Sequence, residues 1–370
     1  MVNIMDKEIC FVAQFPPPLH GLSKAVDTLY NSYLKQKYRF LKINMRNNKR
    51  FLINLFHIIT SNSDLYYITI SQSKVGNIRD LIVMECLFLK KKKIVVHLHG
   101  GYYRKMIENE SNSLVKKLNK KLFAKMSGAI VLGESLKFIF QGIIEENKIF
   151  VVPNCVDNKY LIDEIEFKAK IELASKKETL NVLYLSNFFL SKGYKDLIEV
   201  AIILNNKNVS RFKFIFAGEF YSHKEFQEFK DLIQKNKLEK IVQYKGIVNG
   251  TEKRDLLKEG DIFILLTRYK REGQPISIIE AMGNGMSIIT TQHAGIPDLI
   301  KDNENGFFTE YNDYEKIIQV LEKLYTERYL HISVISNNRR KVLDNYMEDH
   351  YLNKLDNVFS EVIGENGRSK

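Results

Sequence analysis

Residues 271–291 read REGQPISIIEAMGNGMSIITT, and they carry a loop, a short helix, a stop and a strand in that order. Glu272 lies in a Gly/Gln/Pro turn. Pro275 suits the first helical turn, and Gly285 suits the position just after the helix ends. A helix that opens on a loop aims unpaired backbone N–H groups at whatever stands in front of it, which favours a phosphate. Glu280 falls inside the helix beside Ile278, Ile279, Ala281 and Met282. Such a carboxylate is either exposed on an amphipathic helix or partly buried and in need of donors, and sugar hydroxyls are donors.

The same rhythm runs outward from this stretch. Apolar runs at 180–187, 212–219, 241–246 and 261–267 read as strands before it. Earlier still come 8–15, 38–44, 65–70, 93–99, 128–133 and 148–154, with helical patterns at 21–36, 74–90, 111–126 and 134–143. The chain closes on helical patterns at 313–326 and 330–362. Strand and helix taking turns imply parallel sheets covered on both faces. A polar, charged stretch at 157–179 interrupts the rhythm, so the expected architecture is α/β with two doubly wound domains. Sheets of this kind bind ligands beyond the carboxyl ends of their strands, which makes a central cleft the expected site.

At 370 residues, 45% hydrophobic and 27% charged, the chain has the composition of a globular protein of two ordinary domains. No apolar run approaches the ~18 residues of a spanning helix, and FLINLFHIIT (51–60) is about half that. The acidic start differs from a basic secretory leader, and three scattered cysteines without metal-ligand spacing suit a reducing cytoplasm. Charge is unevenly placed. Residues 1–160 hold 25 Lys and Arg against 12 Asp and Glu, a balance of +13, whereas the remainder holds 31 against 32. A field of that sign attracts an anionic membrane surface, a lipid diphosphate or nucleic acid. No nucleic-acid module accompanies it, so nucleic acid is not an expected partner.

Four further segments carry chemistry. QFPPPLHGLSK (14–24) follows the first strand, and Gly21 frees the backbone where a helix begins; it is a diphosphate loop or a plain connection, and it lacks the G-x-G-x-x-G fingerprint. VVHLHGGYYRK (95–105) ends a strand with His97 and His99 on one face, His99 nearer the end. These are core histidines or a reach into a site, and no third ligand makes a metal centre. LSNFFLSKG (185–193) puts Lys192 before a helix, where it meets phosphate or solvent. SNSLVKKLNKKLFAKM (111–126) sets Lys116, Lys117, Lys120 and Lys121 beside an apolar stripe, suiting either anionic lipid or packing on the sheet with a solvated lysine face.

In order, these segments resemble the retaining family 4 glycosyltransferases (glycosyl transferases group 1 type) with the two-domain GT-B fold. FPPPLHG resembles the first glycine loop, HLHGG the acceptor-side histidine motif, and VVPNCVD (151–157) the inter-domain turn. EGQPISIIEAMGNGMSIITTQHAGIPDLI (272–300), followed by DNENGFF (302–308), resembles the most specific stretch. The resemblance implies two Rossmann-like domains, 1–165 on the acceptor side and 175–340 on the nucleotide-sugar side, with a last helix at about 342–365 packing back onto the first. It implies transfer of a sugar from a UDP- or GDP-linked donor to a hydroxyl, with anomeric configuration kept and no metal or other cofactor. The acceptor expected from the basic first half is a lipid-linked glycan in bacterial capsule or O-antigen type synthesis, with the protein cytoplasmic and peripheral on the inner face of the plasma membrane.

The resemblance also implies roles. Lys192 and the Gly21 backbone take the diphosphate, with Asn187 standing where the family has an Arg; Arg268 and Arg271 are the nearest substitutes. Glu272 and Gly273 hold the donor sugar, supported by the backbone of Pro275, Ile276 and Ser277. Glu280 holds the ribose, and Gly246 and Val248 border the base. His99 stands near sugar and acceptor, with His20 and Tyr102 on the acceptor side. Gln274-Pro275 replaces the usual Phe-Gly. The rival readings are a nucleotide-sugar 2-epimerase of the same fold and a non-enzymatic protein that binds anionic surfaces.

Overall fold

A computed structural model describes residues 7–17 and 21–364. By internal contacts the chain divides into two units. One takes in the chain up to Asn154, the short segment Arg271–Gln274 and the last helix from Asp349; the other takes in Cys155–Lys270 and Pro275–Glu348.

The first unit is built on a six-stranded parallel sheet of β1 (Glu8–Ala13), β2 (Arg39–Asn44), β3 (Leu65–Thr69), β4 (Lys93–His97), β5 (Gly128–Val131) and β6 (Ile149–Val151), in the order β2-β1-β3-β4-β5-β6. Its central strands are almost wholly buried, as expected where helices cover both faces. On one face Phe11 and Tyr67 meet α1 (Gly21–Tyr30) and α14 (Glu348–Gly364): Phe11 lies 5.5 Å from Tyr30, Tyr67 lies 5.9 Å from Phe359, and Tyr351 Oη donates to Ala25 O. On the other face Cys10, Val12, Ile68 and Val96 share one core with α2 (Phe51–Thr60), α3 (Lys74–Leu89) and α5 (Ser113–Phe123) through Ile58, Met84 and Leu122.

The second unit repeats the plan with β7 (Leu180–Leu185), β8 (Phe212–Ala217), β9 (Val242–Tyr244), β10 (Ile262–Leu265), β11 (Ser287–Thr290) and β12 (Phe307–Phe308), ordered β12-β11-β10-β7-β8-β9 and parallel throughout. Two doubly wound sheets are thus present, as the alternation predicts. In each, sequential strands step one way from the first and then resume on its other side. The reversal falls between β1 and β3 in one sheet and between β10 and β7 in the other, the points at which such sheets bind ligands.

Several local expectations are corrected. The polar stretch 157–179 contains a helix not expected there, α6 (Glu164–Ala174), started by a capping box of Asp163 and Glu166. The helical pattern at 134–143 folds only as a 3-10 turn, Glu134–Ile139. Of the closing patterns, 313–326 folds as α12 (Tyr314–Thr326), while 330–362 breaks once, into α13 (Arg328–Asn345) and α14. Pro275 stands at the N-cap of α10 (Ile276–Gly283), not inside its first turn, while Gly285 takes the left-handed conformation just beyond the end. No helix among the described residues is long and apolar enough to cross a membrane.

Helix α6 buries Lys170, whose Nζ donates to Asn284 O at 2.7 Å. Burial pushes its pKa down to about 7, against a smaller opposing effect of Asp261. Between pH 7 and the ordinary lysine value the unfolded chain therefore binds the extra proton, so stability rises with pH across that window and is lost as pH falls through it. Thermal unfolding at pH 7 to 9 should show stability growing by about 1 kcal/mol per pH unit, and Lys170→Met should flatten that slope.

Candidate functional site

In the second unit the loops leaving β7 and β10, on either side of the strand-order reversal, are bound together. Gly193, at the N-cap of α7 (Tyr194–Asn206), has φ +79°, and a Cβ there would stand 2.5 Å from Leu266 O, so only glycine allows this approach. Arg268 N–H donates to Ser191 O at 2.7 Å. The result brings the backbones that carry two cations, Lys192 and Arg268, into one loop cluster. Lys192 Nζ lies 5.1 Å from the Tyr269 ring centroid, and Arg268 Nη1 lies 3.3 Å from Asp196 Oδ2 in the first turn of α7. Asn187, in the same β7 loop, is exposed. Of the two arginines expected to substitute for a family Arg, Arg268 is the one whose backbone is bonded to the Lys192 loop; Arg271 belongs to the first unit.

The loop from β10 leads into α10, whose N-terminus carries no side-chain cap, with Ile276 and Ser277 supplying the first helical N–H groups. Further along, Glu280 is 1% exposed, which settles the choice between an exposed and a buried carboxylate. Its Oε1 accepts from Lys253 Nζ at 2.7 Å, and Lys253, on α9 (Gly250–Glu259), also lies 4.3 Å from the Tyr160 ring centroid. Sequence reading missed Lys253, because nothing in the TEKRD stretch marks a partner 27 residues away. Gly246 has φ +72°, accepts from Gly218 N–H at 2.8 Å and leads to buried Val248. Lys253→Met removes the cation from a carboxylate out of water. It should cost about 3 kcal/mol in urea unfolding, because a buried carboxylate loses its cation.

In the first unit the loop after β4 interlocks with Arg271–Gln274. Gly101 N–H donates to Glu272 O at 2.6 Å, and Gln72 Nε2 to Arg271 O at 3.3 Å. A Cβ at Gly273 would stand 2.7 Å from His99 O and 3.0 Å from Gly100 Cα, so both glycines are needed for backbone to meet backbone. Glu272 is 7% exposed. Asn154 N–H donates to Gln274 Oε1 and Asn154 Nδ2 to Gln274 O, both at 2.8 Å. Two atoms of that pair, Asn154 Oδ1 and Gln274 Nε2, are buried without a partner among the described residues. This is the structural role of the Gln-Pro departure: Gln274 is held by two bonds and still has a donor to offer.

The two histidines separate in kind. His97 is fully buried, its Nδ1 2.6 Å from Tyr67 Oη, and burial, with the neighbouring His99 charge, holds its pKa well below the ordinary value. It is a core histidine. His99, half-buried, lies with its ring 4.0 Å from that of His97. Tyr102 N-caps α4 (Tyr103–Glu110), its N–H donating to Gln72 Oε1 and its hydroxyl to Glu110. Gly21 is the first residue of α1 and is exposed, and His20 lies outside the described residues. On α5, Lys116, Lys117, Lys120 and Lys121 are exposed while Val115, Leu118 and Leu122 pack into the core of the unit. Most of the apolar face of that helix packs into the fold, as in the second of the two readings open from sequence, while Leu114 at its start is exposed. Among the described residues no three His, Cys, Asp or Glu side chains stand together as a metal-binding group.

Comparison with known proteins bears on the fold. The Glycosyl transferases group 1 family matches residues 164–342. The chain is 24% identical over 73% of its length to the Escherichia coli UDP-Gal:alpha-D-GlcNAc-diphosphoundecaprenol alpha-1,3-galactosyltransferase, covering 69% of that protein. It is 30% identical over 45% of its length to the amylovoran biosynthesis glycosyltransferase AmsK of Erwinia amylovora, covering 40% of that protein. Across the curated relatives it matches, the chain spans from 35% to 74% of their length. Among solved structures, HepE of Anabaena in complex with UDP superposes with a TM-score of 0.76 at 15% identity, over 96% of this chain and 100% of that one. Residues 164–342 thus match the glycosyl transferases group 1 family, and the two six-stranded parallel sheets have the GT-B fold.

Proposed function

We propose that this protein is a retaining glycosyltransferase that moves a sugar from a nucleotide diphosphate sugar to a hydroxyl of a lipid-linked glycan during synthesis of a bacterial surface polysaccharide. The observation that carries the reading is the loop cluster at the β10/β7 reversal. There the loops that carry Lys192 and Arg268 are hydrogen-bonded to each other, and the uncapped N-terminus of α10 follows from the β10 loop. Two cations and free N–H groups suit a leaving diphosphate, whose developing charge they stabilise without a metal. The UDP named with the superposing structure and the UDP-galactose and diphosphoundecaprenol named for the relative make a uridine donor and a polyprenyl-linked acceptor the first to test.

In this reading Glu272 and Gly273 hold the donor sugar, Ile276 and Ser277 hold the distal phosphate, Glu280 with Lys253 beside it meets the ribose, and Gly246 and Val248 border the base. His99 lines the sugar and acceptor end, where Gln274 Nε2 offers a further donor, and Gly21 approaches the diphosphate by its backbone. Catalysis is positional and electrostatic: the departing phosphate oxygen takes the acceptor's proton on the face it leaves, and the anomeric configuration is kept. The protein works at the cytoplasmic face of the membrane.

Nucleotide release from a panel of UDP- and GDP-sugars, with a polyprenyl-diphosphate sugar as acceptor, tests the proposal, and proton NMR of the product reads the anomer. Release should require the acceptor, give the donor's own anomeric configuration, and continue in the presence of a strong chelator. Conversion of the donor to an epimer with no acceptor present overturns transfer in favour of epimerisation, and an inverted product overturns the retaining assignment.

A further inference from the structure

Helix α2 is apolar almost all round, yet only Ile58 of its ten residues is buried. Leu52 is 77% exposed and Phe56 64%, with Ile53 and Ile59 exposed beside them. On α3, Val75, Ile78, Ile82 and Leu89 are also exposed. Their spacing of three, four and seven puts them on one stripe of the helix. The two helices are tied together at both ends. Arg79 Nη1 of α3 donates to Met45 O and Asn48 Oδ1 ahead of α2, and Lys90 Nζ after α3 donates to Ile59 O and Ser61 O at the end of α2. Exposed apolar side chains are ordinary when scattered, but eight large ones on two adjoining helices mark a docking surface.

The charge around this face selects the occupant. Arg46, Lys49 and Arg50 precede α2, Lys74 opens α3 and Lys91 follows it, all exposed. No Asp or Glu lies between Met45 and Ser63. On α3, Asp80 is buried against Arg79, and Glu85, on the stripe between Ile82 and Leu89, is half-buried. A second copy of the chain would bring the same positive rim against itself, which is repulsive. An anionic bilayer meets the rim with opposite charge and accepts the apolar side chains without a shaped pocket. We propose that the joint outer face of α2 and α3 seats the protein on an anionic phospholipid bilayer. The inference deepens the reading of a lipid-linked acceptor, rests on that reading for its purpose alone, and moves the membrane contact from the lysine face of α5 to α2 and α3.

Flotation with phosphatidylcholine vesicles, with and without phosphatidylglycerol, tests it in the full-length chain without any catalytic readout, so its failure leaves the transfer reading standing. The wild type should float with the anionic vesicles only and be released by salt. Phe56→Glu and the triple variant Arg46/Lys49/Arg50→Glu should each weaken binding about tenfold or more, while Lys116/Lys117/Lys120/Lys121→Glu on α5 should weaken it less. The chain has no tryptophan, so Phe56→Trp gives a single reporter whose emission should shift to the blue on anionic vesicles. Because these side chains are exposed, melting temperatures should stay at the wild-type value and certify the fold. No vesicle binding, an unshifted reporter, or loss of binding through the α5 variant with α2 variants unaffected overturns the assignment. Light scattering that shows a dimer broken by Phe56→Glu overturns it in favour of a second copy.

Discussion

Glu272→Gln should lower kcat for sugar transfer about a hundredfold while leaving the fold intact, because the isosteric amide keeps the shape but removes the charge and turns one acceptor oxygen into a donor. The backbone of Glu272 stays anchored, since its carbonyl accepts from Gly101 N–H and Gly273 behind it meets the His99 and Gly100 backbone. A carboxylate only 7% exposed has little water to serve it, and in the proposed reading the donor sugar's hydroxyls complete its coordination. Charge-assisted hydrogen bonds of this sort are about twice as strong as neutral ones. If they strengthen as the sugar takes on positive character, the loss falls on kcat more than on KM. Steady-state kinetics together with thermal unfolding separate the outcomes. Equal release of nucleotide by wild type and variant would remove Glu272 from the site, and a collapse of the melting temperature would make its role structural.

Lys192→Ala should cost about a hundredfold in kcat/KM, and Lys192→Arg should recover part of it. Arg268→Ala should cost less, because its guanidinium is already shared with Asp196 and the Tyr311 ring. The double variant should lose less than the two losses combined, as expected of cations that act on one diphosphate. Binding of UDP followed by calorimetry provides the second readout: affinity should fall in both single variants, more so for Lys192→Ala. Unchanged UDP affinity in Lys192→Ala would locate the diphosphate elsewhere.

Much of the architecture is legible in the residues. Buried parallel strands are continuous apolar runs such as FVA after Cys10 and IFIL in β10, and their alternation with amphipathic stretches leaves few arrangements other than doubly wound sheets. The errors have local causes. Residues 134–143 have helical spacing but are tied into a tight turn beside β5, and 157–179 read only as a polar interruption because α6 turns only Lys170 and Ala174 fully inward. Phe307–Phe308 is too short to show any period. At the candidate site, residue type and order pointed to Lys192, Glu272 and the opening of α10. They could not point to Lys253, to Asp196 as Arg268's partner, or to Asn154 beneath Gln274, since such partners lie 27, 72 and 120 residues away.

By itself, then, the amino-acid order determined two doubly wound sheets, a glycine-and-lysine loop ahead of α7 and a loop-helix-stop at 271–285, all set by spacing within a few residues. Only the tertiary structure decided that Glu280 is buried on Lys253 and that Arg271–Gln274 belongs with the first unit. It also decided that α5 spends most of its apolar face on the core while α2 and α3 leave theirs exposed. The physical reason is that periodicity reports which side chains share a face, whereas burial depends on what that face meets. For α2, α3 and α5 that is decided by helices and strands distant in the chain.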